Sequence, residues 1–212
     1  MNSREEIELS EYQFTLCKLF SEESAKTQQR IEFGEISTGQ RSIAEVTRDN
    51  LIGKMAEAAI CSMLWSDFGL RIPVNYDVYP RGEYDDEDIR INGWSIDVKA
   101  TRSGRFLLLE DHKIRFRLAE QKLPDVIAVC RVPWDRVSDV PAGRSVELVG
   151  CVSISRLLNP KTKCVSRLSS GQFIPNTLCR LQSSSYCMDF AYLTDMRRSI
   201  ELMLSHKRRN TT

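Results

Sequence analysis

The sequence predicts an α/β sandwich in which a mixed sheet is flanked by helices. Three observations carry this. Apolar residues recur at helical spacing over residues 42–65. Apolar and polar residues alternate on both sides of Asn92-Gly93, the strongest short signal for a β-hairpin. A short apolar run over 126–130 has the length and composition of a buried strand, and 146–154 reads as another strand.

Taken in order, residues 3–30 read as a helix with a patchy apolar face made by Ile7, Phe14, Leu16, Leu19 and Phe20. Gly34 and Gly39 mark a loop over 31–40. The helix over 42–65 carries Leu51, Ile52, Met55, Ala56, Ala59, Ile60, Met63 and Leu64 on one wide stripe, with Gly69 as its stop. Val74, Tyr76 and Val78 alternate with polar residues as a first strand, broken by Pro80 and Gly82. The hairpin strands follow, then a helix over 110–123 ended by Pro124, a strand, a turn-rich loop over 133–143, and a further strand. Beyond Asn159-Pro160 the chain is rich in Ser and Cys and has no clear period until a last helix over 192–205 and a basic end at Lys207, Arg208 and Arg209. The order is helix, three strands, helix, two strands, helix. The expected division is a helical N-terminal extension over 1–40, a core over 41–158, and a C-terminal extension over 159–212 that packs on the core or binds a partner.

The chain has 212 residues, 42% hydrophobic and 28% charged, enough to bury a core without staples. Net charge is +1, so any contact with phosphates depends on local patches. No stretch has the length of a membrane span, and the polar N-terminus does not resemble a secretory leader. Seven cysteines at irregular spacing read as reduced thiols, and a cytoplasmic location is expected. The absence of a Gly-rich phosphate loop argues against an ATPase. Cys164, Cys179, Cys187 and His206 match no common zinc spacing, and His112 lacks a partner motif.

The hairpin is where chemistry enters. A two-residue turn at Asn92 and Gly93 pairs Ile91 with Trp94, Arg90 with Ser95, Ile89 with Ile96, and Asp88 with Asp97. Ile89, Ile91, Trp94, Ile96 and Val98 then share one face, and Asp88, Arg90, Ser95, Asp97 and Lys99 the other. Two opposed carboxylates repel unless a cation lies between them. Mg²⁺ suits one or two carboxylates, with waters and substrate phosphate completing its octahedron. Lys99, one pleat further on, is placed to hold a water or stabilise charge in a transition state. The plain alternative is a solvated acidic turn at Asp85, Asp86, Glu87 and Asp88 beside ordinary strand residues.

The segment from Asp88 through Asn92-Gly93 to Asp97-Val98-Lys99 resembles the signature of the PD-(D/E)xK, or restriction-endonuclease-like, nucleases. The helix before the sheet, with Gly53-Lys54-Met55-Ala56-Glu57, is similar to the family helix that often supplies a glutamate. The element order over 42–158 also resembles the family core of helix, three strands, helix and strand. The resemblance implies a restriction-endonuclease-like core and a nuclease. Asp88, Asp97 and Glu57 would be metal ligands, and Lys99 would position or activate water. It departs from the family name in having Glu87 where the proline would stand, and Asp86 rivals Asp88.

The resulting expectation is a Mg²⁺-dependent endonuclease of a restriction, defence or repair system, with Mn²⁺ able to substitute. Its substrate would be DNA, with RNA left open. A homodimer or larger nuclease complex would suit cutting of two strands. Arg102, Arg105, Lys113 and Arg117 are candidate nucleic-acid contacts, Lys113 and Arg117 lying one turn apart on a helix. The competing expectation is a nuclease-like binding or assembly subunit that needs a partner for activity or has none.

Overall fold

The structure, a computed structural model, describes residues 5–28, 42–80 and 88–206. It is mixed α/β. A five-stranded mixed sheet is flanked by helices on one face and by a helix and a smaller sheet on the other. The expected loop over 31–40, the acidic residues Asp85, Asp86 and Glu87, and the basic end at 207–209 lie outside the described residues.

The N-terminal segment corrects the expectation of a single helix over 3–30. A strand, β1 (Glu5–Glu8), precedes helix α1 (Glu11–Gln28). The break lies at Ser10. Its hydroxyl accepts from the Gln13 amide at 3.2 Å, and the Gln13 side chain accepts from the Ser10 amide at 3.0 Å. This reciprocal cap starts the helix at Glu11 and leaves the residues before it extended. Helix α2 (Ile43–Phe68) is built the same way, with a capping box between Ser42 and Glu45 and a left-handed Gly69 at its end.

Residues 69–80 form no strand, although Val74, Tyr76 and Val78 alternate as expected. Ile72, Val74 and Tyr76 lean on the core formed by α1 and α2 rather than joining a ladder. Lys54 Nζ donates to the Asn75 carbonyl at 2.8 Å, and the Tyr76 ring meets Phe20 edge-on. Side-chain packing against helices uses the same alternation as a strand, so the pattern alone did not separate them.

The hairpin follows its expected register. β2 (Ile89–Ile91) pairs with β3 (Trp94–Thr101) through Ile89 with Ile96, Arg90 with Ser95, and Ile91 with Trp94. Asn92 and Gly93 both have positive φ, 50° and 87°, as this tight turn requires. Asn92 also donates to the carbonyls of Met203 and Leu204, tying the turn to the last helix. β4 (Phe106–Glu110), not expected from sequence, leads into α3 (Asp111–Ala119). That helix stops well short of Pro124. Gln121 takes φ of 58°, and the Lys122 amide closes on the Arg117 carbonyl at 2.8 Å.

β5 (Val126–Arg131) lies parallel to β3 and antiparallel to β8 (Ser145–Ser153), which also pairs with β1. The sheet order is β1-β8-β5-β3-β2. Between β5 and β8, a two-stranded ribbon of β6 (Trp134–Asp135) and β7 (Val140–Pro141) replaces the expected loop over 133–143. A short helix α4 (Ile154–Leu158) follows. β9 (Val165–Leu168) and β10 (Ser185–Asp189) form a second sheet with β4, in the order β4-β10-β9. Helix α5 (Met196–Ser205) is the last described element.

Two cores sit on opposite faces of the main sheet, and β5 divides its side chains between them. Val126, Ala128 and Cys130 enter the core with α1, α2 and α5, while Ile127 and Val129 enter the core with α3, β4 and β10. Both faces are covered, which explains the unbroken apolar run in β5. Residues of both expected terminal extensions enter these cores: Leu9, Cys17, Met196, Ile200 and Met203 the first, and Met188 and Phe190 the second.

Candidate active site around Asp97

Asp97 and Lys99 point to the face of β3 opposite Ile96 and Val98. In the parallel ladder they stand beside Ile127 and Val129. Asp97 is therefore a carboxylate at the margin of an apolar core, only 4% exposed. Such burial requires partners. Lys99 Nζ lies 2.6 Å from Oδ2 as a contact ion pair, off the alignment of a good hydrogen bond. Arg117, from the last turn of α3, donates to Oδ1 at 2.8 Å.

Asp88 stands one residue beyond the end of the β2 ladder. Its Oδ2 accepts from the Val98 amide at 2.6 Å. The side chain thus satisfies a strand amide next to the last ladder pair, Ile89 with Ile96. Asp88 was expected to face Asp97 directly. Instead its carboxylate turns to the β3 backbone, close enough to feel the Asp97 charge.

The two acids titrate in opposite directions. Burial and then the Asp97 charge push the Asp88 carboxyl above its ordinary value, against the Val98 amide and the charges of Lys99 and Lys54. Burial also presses Asp97 upward, but Lys99 and Arg117 together outweigh it and hold that carboxyl low.

Glu57 lies on α2, with its carboxylate 2.5 Å from Lys54 Nζ. Lys54 is buried, donates to the Asn75 carbonyl, and rests 4.5 Å over the Phe20 ring. Among the described residues, Glu57 does not join Asp88 and Asp97 in a group of three donors able to hold a metal ion. The donor set that remains is two carboxylates. Two fit a Mg²⁺ ion that keeps most of its waters.

Of the four expected nucleic-acid contacts, three pair with acids away from this site. Arg102 approaches Asp139 at 3.5 Å and stacks on Trp134, Arg105 pairs with Asp189, and Lys113 pairs with Glu110 at 2.7 Å. Arg117 alone of the four holds a site carboxylate. Its role, and that of Lys54, escaped the sequence. Arg117 is separated from Asp97 by a strand and a helix, and Lys54 sits in an apolar stripe that gave no sign of a partner.

His112 Nε2 lies 3.6 Å from Glu110. Cys164, Cys179 and Cys187 are respectively half-buried, exposed and buried free thiols. A cavity of 570 Å³, lined by Trp94, Cys151, Ser153, Arg156, Met203 and His206 among others, includes none of the candidate site residues. No described helix is long and apolar enough to cross a membrane. Comparisons of the chain with protein-family models, with curated proteins and with solved structures find no match.

Proposed function

We propose that this protein is a metal-dependent nuclease of the restriction-endonuclease-like kind, acting on DNA. One observation carries the reading. A 4%-exposed carboxylate, Asp97, sits on an interior strand with Lys99 against it and a second acid, Asp88, anchored alongside. Burying two neighbouring acids costs stability, a cost that a fold alone has no need to bear. The element order from residue 43 to 131 supports the reading further: α2, then β2, β3 and β4, then α3 and β5. It resembles the family's helix, three strands, helix and strand only with β4, a strand of the second sheet, standing in for the expected strand over 74–78, which did not form.

In this reading Asp88 and Asp97 hold Mg²⁺ or Mn²⁺. When bound, the ion offsets the negative charge that develops on the phosphate oxygens. Lys99, 41% exposed at its side chain, reaches from the buried acid toward solvent and orients the attacking water or a phosphate oxygen. Glu57 acts at one remove, by fixing Lys54, whose charge reaches Asp88.

The test is cleavage of supercoiled plasmid, single-stranded DNA and RNA with Mg²⁺ or Mn²⁺. Metal-dependent cutting by the wild type, lost in Asp97→Ala and Lys99→Ala, supports the reading. No cutting of any substrate by the wild type overturns it. One observation favours the second reading, a binding or assembly subunit. Lys99 and Arg117 already neutralise Asp97, as they would in a purely structural ion cluster. A protein of that kind would keep its partner binding in Asp97→Asn.

A further inference from the structure

Each oxygen of Asp97 is met by a different cation, and the two cations are held differently. Lys99 is two residues away on the same strand, 41% exposed at its side chain, and makes no aligned hydrogen bond to Oδ2. Arg117 reaches in from α3 through a side chain that is 37% exposed, so its guanidinium has a route to water. Arg117 fills Oδ1 with a hydrogen bond at 2.8 Å, so an ion that takes this oxygen must move the guanidinium. Arg102, Arg105 and Lys113 have acids of their own elsewhere, which leaves Arg117 as the basic candidate that shares a carboxylate with the site.

We propose that Arg117 is a stand-in cation, occupying Asp97 Oδ1 until a divalent ion displaces it, after which its guanidinium is released to grip substrate phosphate. The inference rests on the nuclease reading above and assigns a substrate-binding residue to that same site. Two points support the exchange. A divalent ion and a guanidinium cannot share one carboxylate oxygen without repelling each other. A planar guanidinium suits two oxygens of a phosphate as well as it suits a carboxylate. The displaced side chain would then be available to a substrate phosphate.

The test measures Mn²⁺ binding to the full chain without nucleic acid, from the loss of the free-ion electron paramagnetic resonance signal. Arg117→Gln should bind Mn²⁺ about fivefold more tightly than wild type, the scale expected for removing one partly exposed competing pair. Lys113→Gln, which removes the same charge from the same helix without touching Asp97, should stay within about twofold of wild type. Equal affinity in wild type and Arg117→Gln overturns the inference and leaves the nuclease reading standing, as does equal tightening in both variants. No Mn²⁺ binding by any of the three overturns both. Should Arg117→Gln fail to fold, guanidinium NMR of the wild type answers the question. The Arg117 signals should change from held to freely rotating as Mg²⁺ is added, and signals unchanged at high Mg²⁺ overturn the inference.

Discussion

Replacing Asp97 by Asn keeps the side-chain volume and removes the charge, so it isolates what the carboxylate does. Breaking a buried pair by removing one partner costs about 3–5 kcal/mol when the surviving charge is trapped away from water. Here the survivors, Lys99 and Arg117, are 41% and 37% exposed at their side chains and can turn outward. Exposed pairs are worth about 0–1 kcal/mol each. Relief of the pressure on Asp88 returns part of the loss. The expected destabilisation at neutral pH is therefore about 1–2 kcal/mol, or about 2–4 °C in Tm per kcal/mol for a chain of this size. The pH dependence follows from the lowered carboxyl of Asp97. Its contribution is present above the ordinary value of 3.8 and is lost as pH falls through the lower folded value. Denaturant melts of both proteins, at neutral pH and well below 3.8, should show a gap that closes in acid. Cleavage should fall by at least about a hundredfold at neutral pH. Equal stability at neutral pH, or a gap that persists unchanged in acid, would refute the ion-pair reasoning.

Four further outcomes are expected. Mn²⁺ affinity should grow as pH rises through the raised folded value of Asp88, since an ion binds the carboxylate form; binding titrations across pH read this, and an identical pH dependence in Asp88→Asn argues against it. Gly150→Ala should cost about 2–4 kcal/mol in urea unfolding, since a Cβ there would meet the Thr194 carbonyl oxygen at 2.7 Å and Leu193 Cβ at 2.9 Å, at φ of 145°. Asn92→Ala should cost about 1 kcal/mol by thermal melt, through the lost donations to Met203 and Leu204 and a poorer left-handed turn. Lys54→Met should cost about 2–3 kcal/mol, because Glu57 loses its cation and the Asn75 carbonyl its donor; a neutral result would mean that Lys54 is not what pins residues 69–80 to α2.

Gly150 also shows how the tertiary structure overrides a strand's period. Val146 and Leu148 enter the first core, and a bulge opposite Val129 and Cys130 then puts Cys151 there too, breaking the alternation. The backbone can bend at this point because Gly150 lets Thr194 approach, and Cys151 exchanges two hydrogen bonds with it, at 2.8 and 2.9 Å.

By itself, the sequence determined what short-range physics controls. The start of α2 at Ser42 and its stop at Gly69, the register set by Asn92-Gly93, the burial of β5, and the opposite faces of Ile96 and Asp97 all follow from caps, turns and periods within a few residues. The same information placed Asp97 beside Lys99 in a single strand. Even at short range a signal was missed where two patterns overlapped, as at the Ser10–Gln13 cap that ends β1. Only the tertiary structure decided which strands are neighbours. It set β3 parallel to β5, brought Arg117 from α3 onto Asp97, and gave β4 to a second sheet with β10. It also left residues 69–80 against the helices instead of in the sheet. These choices depend on contacts between residues far apart in the chain, where burial of whole faces outweighs local preference and no short pattern records the partner.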